Sequence, residues 1–148
     1  MLLYSLILSI FILILSFILI PLNIKFSHKV GFVSIPNNRS VHSKVMPSSG
    51  GLSFAIPIIL AEILLILIVQ DPFLKKNLIG LVIGSSLILF LGIIDDKYNL
   101  NAKAKLICQL SIAIIMFFLG FRIEQITNPF GASISIQYLS FPITLLWY

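Results

Sequence analysis

Gly92-Ile93-Ile94-Asp95-Asp96-Lys97-Tyr98-Asn99-Leu100-Asn101-Ala102-Lys103-Ala104-Lys105-Leu106 separates two long apolar runs. Two adjacent carboxylates close the first run, and three lysines follow before the second begins. Outward from this stretch the chain is nearly all apolar. Of its 148 residues 59% are hydrophobic and 10% charged, and the mean hydropathy is +1.12. A water-soluble domain of this size leaves too much of itself exposed to hide so much apolar surface. The apolar residues also come in unbroken blocks rather than at amphipathic spacing, so the solvent for most of the chain is lipid.

The blocks predict an all-α fold, a polytopic integral membrane helix bundle with four complete spans and a truncated fifth. The spans are placed at about residues 1–21, 52–69, 78–94 and 106–121, with an incomplete one at 138–148. Met1 to Ile20 lacks the basic leader and small-residue cleavage site of a signal peptide. Its length matches the roughly 20 residues needed to cross the hydrocarbon core, so it reads as a first span ending near Pro21. Pro57 sits near the start of the second block, where it fits the first turns or kinks the helix. Gly80, Gly84, Ser85, Ser86 and Gly92 in the third block permit close helix approach. The last apolar stretch has about half the length of a span, which carries the expectation of a chain cut short.

The net charge of +5 lies in the connections. Lys25, Lys29, Arg39, Lys44, Lys97, Lys103 and Lys105 flank the first and third connections; Lys75, Lys76 and Arg122 flank the second and fourth. The positive-inside rule then puts the first and third connections in the cytoplasm and the N-terminus outside. It accounts for the basic excess without nucleic acid, leaving membrane lipids as the surroundings. Cys108 has no second cysteine to pair with and reads as packing.

The acid pair is the first candidate site. The C-terminal end of a helix carries partial negative charge, which disfavours each carboxylate there by about 0.3 to 1 kcal/mol. Two neighbouring acids also repel one another. Positive charge nearby would offset this, from Lys97, Lys103 and Lys105 or from Mg²⁺ held with a substrate, since magnesium takes one or two carboxylates plus phosphate oxygens. If a helix starts near Asn99 or Asn101, Lys105 falls in its first two turns. The plain alternative is a solvated helix terminus. The second candidate is Gly31 to His42 with Lys44, Pro47 and Gly50-Gly51. Arg39 can grip a phosphate with two hydrogen bonds and Lys44 can act as a point charge, while the glycine pair allows close backbone approach. Taken alone, this segment also reads as an ordinary basic connection. Glu62 within the second span marks either a functional group or one that is protonated or paired in a helix interface. His28 and His42, fourteen residues apart, make poor metal-ligand spacing. Trp147 and Tyr148 suit a membrane interface.

Taken together, Pro36-Asn37-x-Arg39-x-x-His42, Pro47-x-x-Gly50-Gly51, and Asp95-Asp96 with Lys105-Leu106-x-x-Gln109 resemble the polyprenyl-phosphate N-acetylhexosamine-1-phosphate transferases, in the family's order. That superfamily includes the undecaprenyl-phosphate GlcNAc-1-phosphate transferases and the phospho-MurNAc-pentapeptide translocases. The resemblance implies transfer of an N-acetylhexosamine 1-phosphate from a UDP-amino sugar to a polyprenyl phosphate, with release of UMP and a requirement for Mg²⁺. The reaction would run at the cytoplasmic face of the inner membrane, in envelope polysaccharide synthesis. Asp95 and Asp96 would be catalytic; Arg39, Lys44, Gly50, Gly51 and Lys105 would bind substrate. The spacing from Asp95 to Gln109 is similar to the GlcNAc-type branch.

Ser34 stands where the family usually has Asp, and the family's later Asp-rich and His-rich loops do not occur. The magnesium ligands are thus expected beyond Tyr148, and this chain is expected to be an N-terminal part, inactive alone. The rival classes are a small transporter or channel component, with Glu62 and the acid pair along an ion path, and a non-catalytic membrane assembly subunit. A homodimer is compatible with the sequence.

Overall fold

A computed structural model describes residues 2–34, 45–127, 131 and 133–148, with only the backbone of residues 2–5 and 34. It divides into two compact units, 1–100 and 101–148. The first unit holds three helices: α1 (Leu2–Val30), α2 (Leu52–Ile68) and α3 (Pro72–Tyr98). Among the described residues, three helical stretches are long and apolar enough to cross a membrane: Leu6–Val30, Ser49–Ile68 and Pro72–Tyr98.

α1 does not end at Pro21. The proline lies inside a helix that runs nine residues further, to Val30. Proline removes one backbone donor and crowds the preceding turn, but membrane helices tolerate this because neighbouring groups re-satisfy the freed carbonyl. Lys25, His28 and Lys29 are therefore helical, and the last two sit where the helix end favours positive charge. Gly31, at φ +86°, stops the helix; its amide and that of Phe32 both donate to the Ser27 carbonyl at 2.9 Å. Such a left-handed turn suits glycine, which has no Cβ to clash.

α2 starts where its sequence predicts, with Pro57 buried inside it. α3 begins at Pro72, six residues before the expected boundary. Asp71 accepts a hydrogen bond from the Leu74 amide at 2.9 Å and Pro72 occupies the first helical position, an arrangement that both residue types favour. At its far end α3 includes Asp95 and Asp96, so the polar connection shrinks to Asn99–Asn101, with Asn99 left-handed at φ 48°. α2 and α3 run antiparallel, and Ser85 of α3 donates to the Glu62 carboxylate of α2 at 2.8 Å. Glu62 is thus a hydrogen-bonded helix contact.

Two short strands, β1 (Val33–Ser34) and β2 (Met46–Pro47), pair antiparallel, and the Ser48 amide donates to the Phe32 carbonyl at 3.0 Å. A one-turn 3-10 helix, Ser49–Gly51, then leads into α2.

The second unit contains α4 (Ala102–Phe118), the paired strands β3 (Gln125–Ile126) and β4 (Ile134–Ser135), and α5 (Ser140–Trp147). Asn101 caps α4, accepting from the Ala104 amide at 2.8 Å, which starts the helix four residues before the expected 106. α4 has 17 residues, or about 25 Å at 1.5 Å per residue, against a hydrocarbon core of about 30 Å. Its length therefore does not carry the expected fourth full span. α5 has eight residues and packs on α4 through an edge-to-face contact of Phe117 with Phe141. The buried Thr144 hydroxyl accepts from the Ile123 amide at 2.9 Å. The two-residue strands are the departure from an all-α architecture.

Candidate functional site

One end of the first unit gathers the sequence features that local structure does not explain. α1 finishes there, the β1–β2 pair ties together the two sides of the segment 35–44, the Ser49–Gly51 turn opens α2, and α3 finishes with its acids. The fixed base of this segment is Phe32, buried and in edge contact with Phe26, together with its hydrogen bond from Ser48. Arg39 and Lys44, the two cations expected on that segment, lie outside the described residues, as do Pro36, Asn37 and His42.

Asp95 and Asp96 occupy the last turn of α3, both half-buried. The Asn99 amide donates to the Asp95 carbonyl at 2.8 Å and closes the helix. Lys97 lies 5.3 Å from the Tyr98 ring, a cation–π contact at the exposed edge. Neither acid and not Lys105 is without an interaction partner.

Between α2 and α3 runs a groove of about 310 Å³ whose lining includes Gly51, Ala55, Ser85, Gly92 and Asp96. Its walls are otherwise Leu and Ile, and among the described residues Asp96 is its one ionisable lining residue. Gly92 precedes Asp96 by four residues and so lies on the same helix face. A Cβ added at Gly50, Gly51 or Gly92 would meet no described atom within 4 Å, and none of the three has a positive φ. Neither strain nor packing among the described residues asks for glycine there. Among the described residues, open space is left beside a carboxylate in an apolar groove.

The structure thus brings Gly51 and Asp96 to one groove, with Gly50 and Asp95 adjacent. Lys105 is the fourth residue of α4 in the second unit, within the first turn after Asn101. Among the described residues no group of three or more His, Cys, Asp or Glu side chains could hold a metal ion. Asn23, Ser27, Ser49 and Ser53 form a buried hydrogen-bonded cluster behind the Gly50-Gly51 turn, which the sequence reading missed. The available signal was spacing: Asn23 and Ser27 are one helical turn apart, as are Ser49 and Ser53.

The chain matches the model of glycosyl transferase family 4 over residues 78–148, a range that takes in the acid pair and Lys105. It is 31% identical over 131 residues to a probable undecaprenyl-phosphate N-acetylglucosaminyl 1-phosphate transferase of Bacillus subtilis, covering 88% of this chain and 35% of the relative. It is 31% identical over 150 residues to a phospho-N-acetylmuramoyl-pentapeptide-transferase of Staphylococcus saprophyticus, covering 93% and 45%. A decaprenyl-phosphate N-acetylglucosaminephosphotransferase of Mycolicibacterium smegmatis is 28% identical over 109 residues, covering 70% and 26%. The chain therefore spans less than half the length of these curated relatives. No solved structure gives a significant match. These similarities make the chain a distant homologue of the polyprenyl-phosphate hexosamine-phosphate transferases.

Proposed function

We propose, on the premise of that distant homology, that this chain forms part of a transferase site. The site would move an N-acetylhexosamine 1-phosphate from a UDP-amino sugar, UDP-GlcNAc by the nearer relatives, to undecaprenyl or another polyprenyl phosphate. One observation supports the reading above the rest: Asp96 stands at the mouth of an apolar groove beside glycines whose open space no described residue uses. A phosphate-bearing lipid needs that combination of an apolar wall and a polar, spacious end.

In the reaction a phosphate oxygen of the lipid forms a bond to the β-phosphorus of the nucleotide sugar. The bond from that phosphorus to the bridging oxygen breaks, and UMP leaves with the oxygen and its electron pair. Phosphoryl transfer of this kind is mostly positioning and charge neutralisation. Asp95 and Asp96 orient the acceptor phosphate and receive its remaining proton when it arrives as the monoanion. Gly50 and Gly51 let backbone come close to the ligand. Arg39 and Lys44, both on the segment rooted at β1 and β2, neutralise phosphate oxygens, and Lys105 is assigned to the same work by resemblance.

The resemblance implies Mg²⁺, which when bound with substrate phosphates would offset their charge beside Asp95 and Asp96; among the described residues no cluster of three or more His, Cys, Asp or Glu is placed to hold it. The reading places this end of the first unit in the cytoplasm, where nucleotide sugars are available, and the product in an envelope polysaccharide pathway.

The test is transfer of label from radiolabelled UDP-GlcNAc to lipid in membranes where this chain is supplied within a full-length transferase, paired with photo-crosslinking to farnesyl phosphate, which does not require turnover. Asp95→Asn and Asp96→Asn should each lower transfer by about a hundredfold, the scale of a lost proton-transfer or charge-stabilising group. Unchanged signals in both variants would refute the assignment.

A further inference from the structure

α1 extends nine residues beyond Pro21, and the extension carries two polar side chains one turn apart, Asn23 and Ser27. They face Ser49 and Ser53 at the entry to α2. The Asn23 amide donates to the Ser49 carbonyl at 2.6 Å and to the Ser53 hydroxyl at 3.1 Å. The Ser49 hydroxyl donates to the Asn23 side-chain oxygen at 3.2 Å. The Ser27 hydroxyl lies within hydrogen-bonding distance of the Asn23 carbonyl, at 2.7 Å, and of the Ser49 hydroxyl, and the single proton of each hydroxyl serves one of these contacts at a time. Ser27, Ser49 and Ser53 are 0%, 2% and 2% exposed.

A pair of helices in lipid could pack here with alanine and leucine. Burying three serine hydroxyls beside a half-buried asparagine is costly unless each is hydrogen-bonded, and a hydrogen-bonded network fixes one relative placement of its members rather than many. What it fixes is the Ser49–Gly51 turn. Gly50 and Gly51 have no side chains by which to be held, and glycine has the most conformational freedom to lose. Gly51 in turn lines the groove whose other wall carries Gly92 and Asp96.

We propose that Asn23 is a positioning residue: through its two donated bonds, α1 sets where the Gly50-Gly51 backbone stands opposite the acid-bearing end of α3. Its chemical meaning rests on the proposed transferase site; its local claim does not. Asn23 touches no reacting atom and acts through the turn.

The test uses the full chain in lipid nanodiscs, with three readouts: amide hydrogen exchange at Gly50–Leu52, thermal unfolding, and affinity for farnesyl phosphate. Asn23→Asp keeps the shape and the acceptor but removes both donations. A second variant, Asn23→Leu with Ser49→Ala and Ser53→Ala, removes the side-chain partners together and leaves the Ser49 carbonyl its bond from the Leu52 amide, a change of small cost to stability. Both should speed exchange at Gly50–Leu52 by about 5- to 10-fold and weaken farnesyl phosphate binding by about 3- to 10-fold, the worth of about one hydrogen bond. The melting temperature of the second variant should stay near wild type. Unchanged exchange at these amides, or exchange that rises only in step with the whole chain, would overturn the positioning role. Faster local exchange with unchanged probe affinity would overturn the link from Asn23 to the site. Failure of the wild-type chain to bind the probe would count against the transferase reading, while the exchange result still decides whether Asn23 holds the turn.

Discussion

The two ends of the α2–α3 pair solve the same problem in opposite ways. At the Val69–Asp71 end, every residue follows local rules: Asp71 caps α3 through the Leu74 amide, and Pro72 takes the first helical position. At the other end the rules are broken. Two acids sit where the helix is already negative, and Gly92 interrupts a helix without any described neighbour that needs its small size. Consistency at one end and conflict at the other, within one pair of helices, are what the proposed ligand site would leave, stability being set aside where a ligand binds.

The largest effect that would break this contrast lies with the acids. Asp95→Asn or Asp96→Asn should cut transfer to lipid by about a hundredfold, whereas Asp71→Asn at the opposite end should leave it unchanged. Equal loss at both ends would mean that the acids only shape the protein. Next come the glycines. Gly92→Leu should reduce probe binding by about tenfold by filling the groove that Gly92 lines. Gly92→Ala separates the effects further: helix stability should rise by about 0.5 to 1 kcal/mol while binding falls.

The smaller effects belong to residues assigned to packing. Asp71→Ala should cost about 1 kcal/mol of stability through the lost cap, read by thermal unfolding, with probe labelling intact. Ser85→Ala should cost about 0.5 to 1.5 kcal/mol by removing the donor to Glu62. A loss of labelling in Ser85→Ala beyond that stability cost would move Glu62 from helix packing to the site.

Much of the first unit was legible in its residues. The apolar run and its glycine entry gave α2, whereas the fourth apolar block was placed from 106 although a helix start near Asn99 or Asn101 was open, and the Asn101 cap, a local signal carried by one side chain, decides the start of α4. The start of α3 was also written locally, in Asp71-Pro72, but the flanking lysines Lys75 and Lys76 made the turn look like part of the connector. Pro21 misled for a different reason: a helix breaker in water is tolerated in a membrane segment, where the backbone has few alternatives to helix. The acids and glycines stood out as a pair of motifs, yet their meeting at one groove depends on how α2 and α3 align, which no single stretch encodes. The Asn23 cluster was hidden most fully, because lone Asn and Ser residues in apolar helices look like tolerated exceptions until their partners are seen. Arg39 and Lys44 gain nothing from the described residues beyond the fixed root of their segment at β1 and β2.

The most direct test is to map where a photoreactive farnesyl phosphate attaches to the intact chain in membranes, by digestion and mass spectrometry. Attachment should concentrate on the Ser49–Ile58 and Ser85–Tyr98 stretches and fall away in Asp96→Asn. Attachment centred on Val69–Lys76, or spread evenly along all apolar helices and indifferent to Asp96, would contradict a phosphate-lipid site at this end of the helix pair.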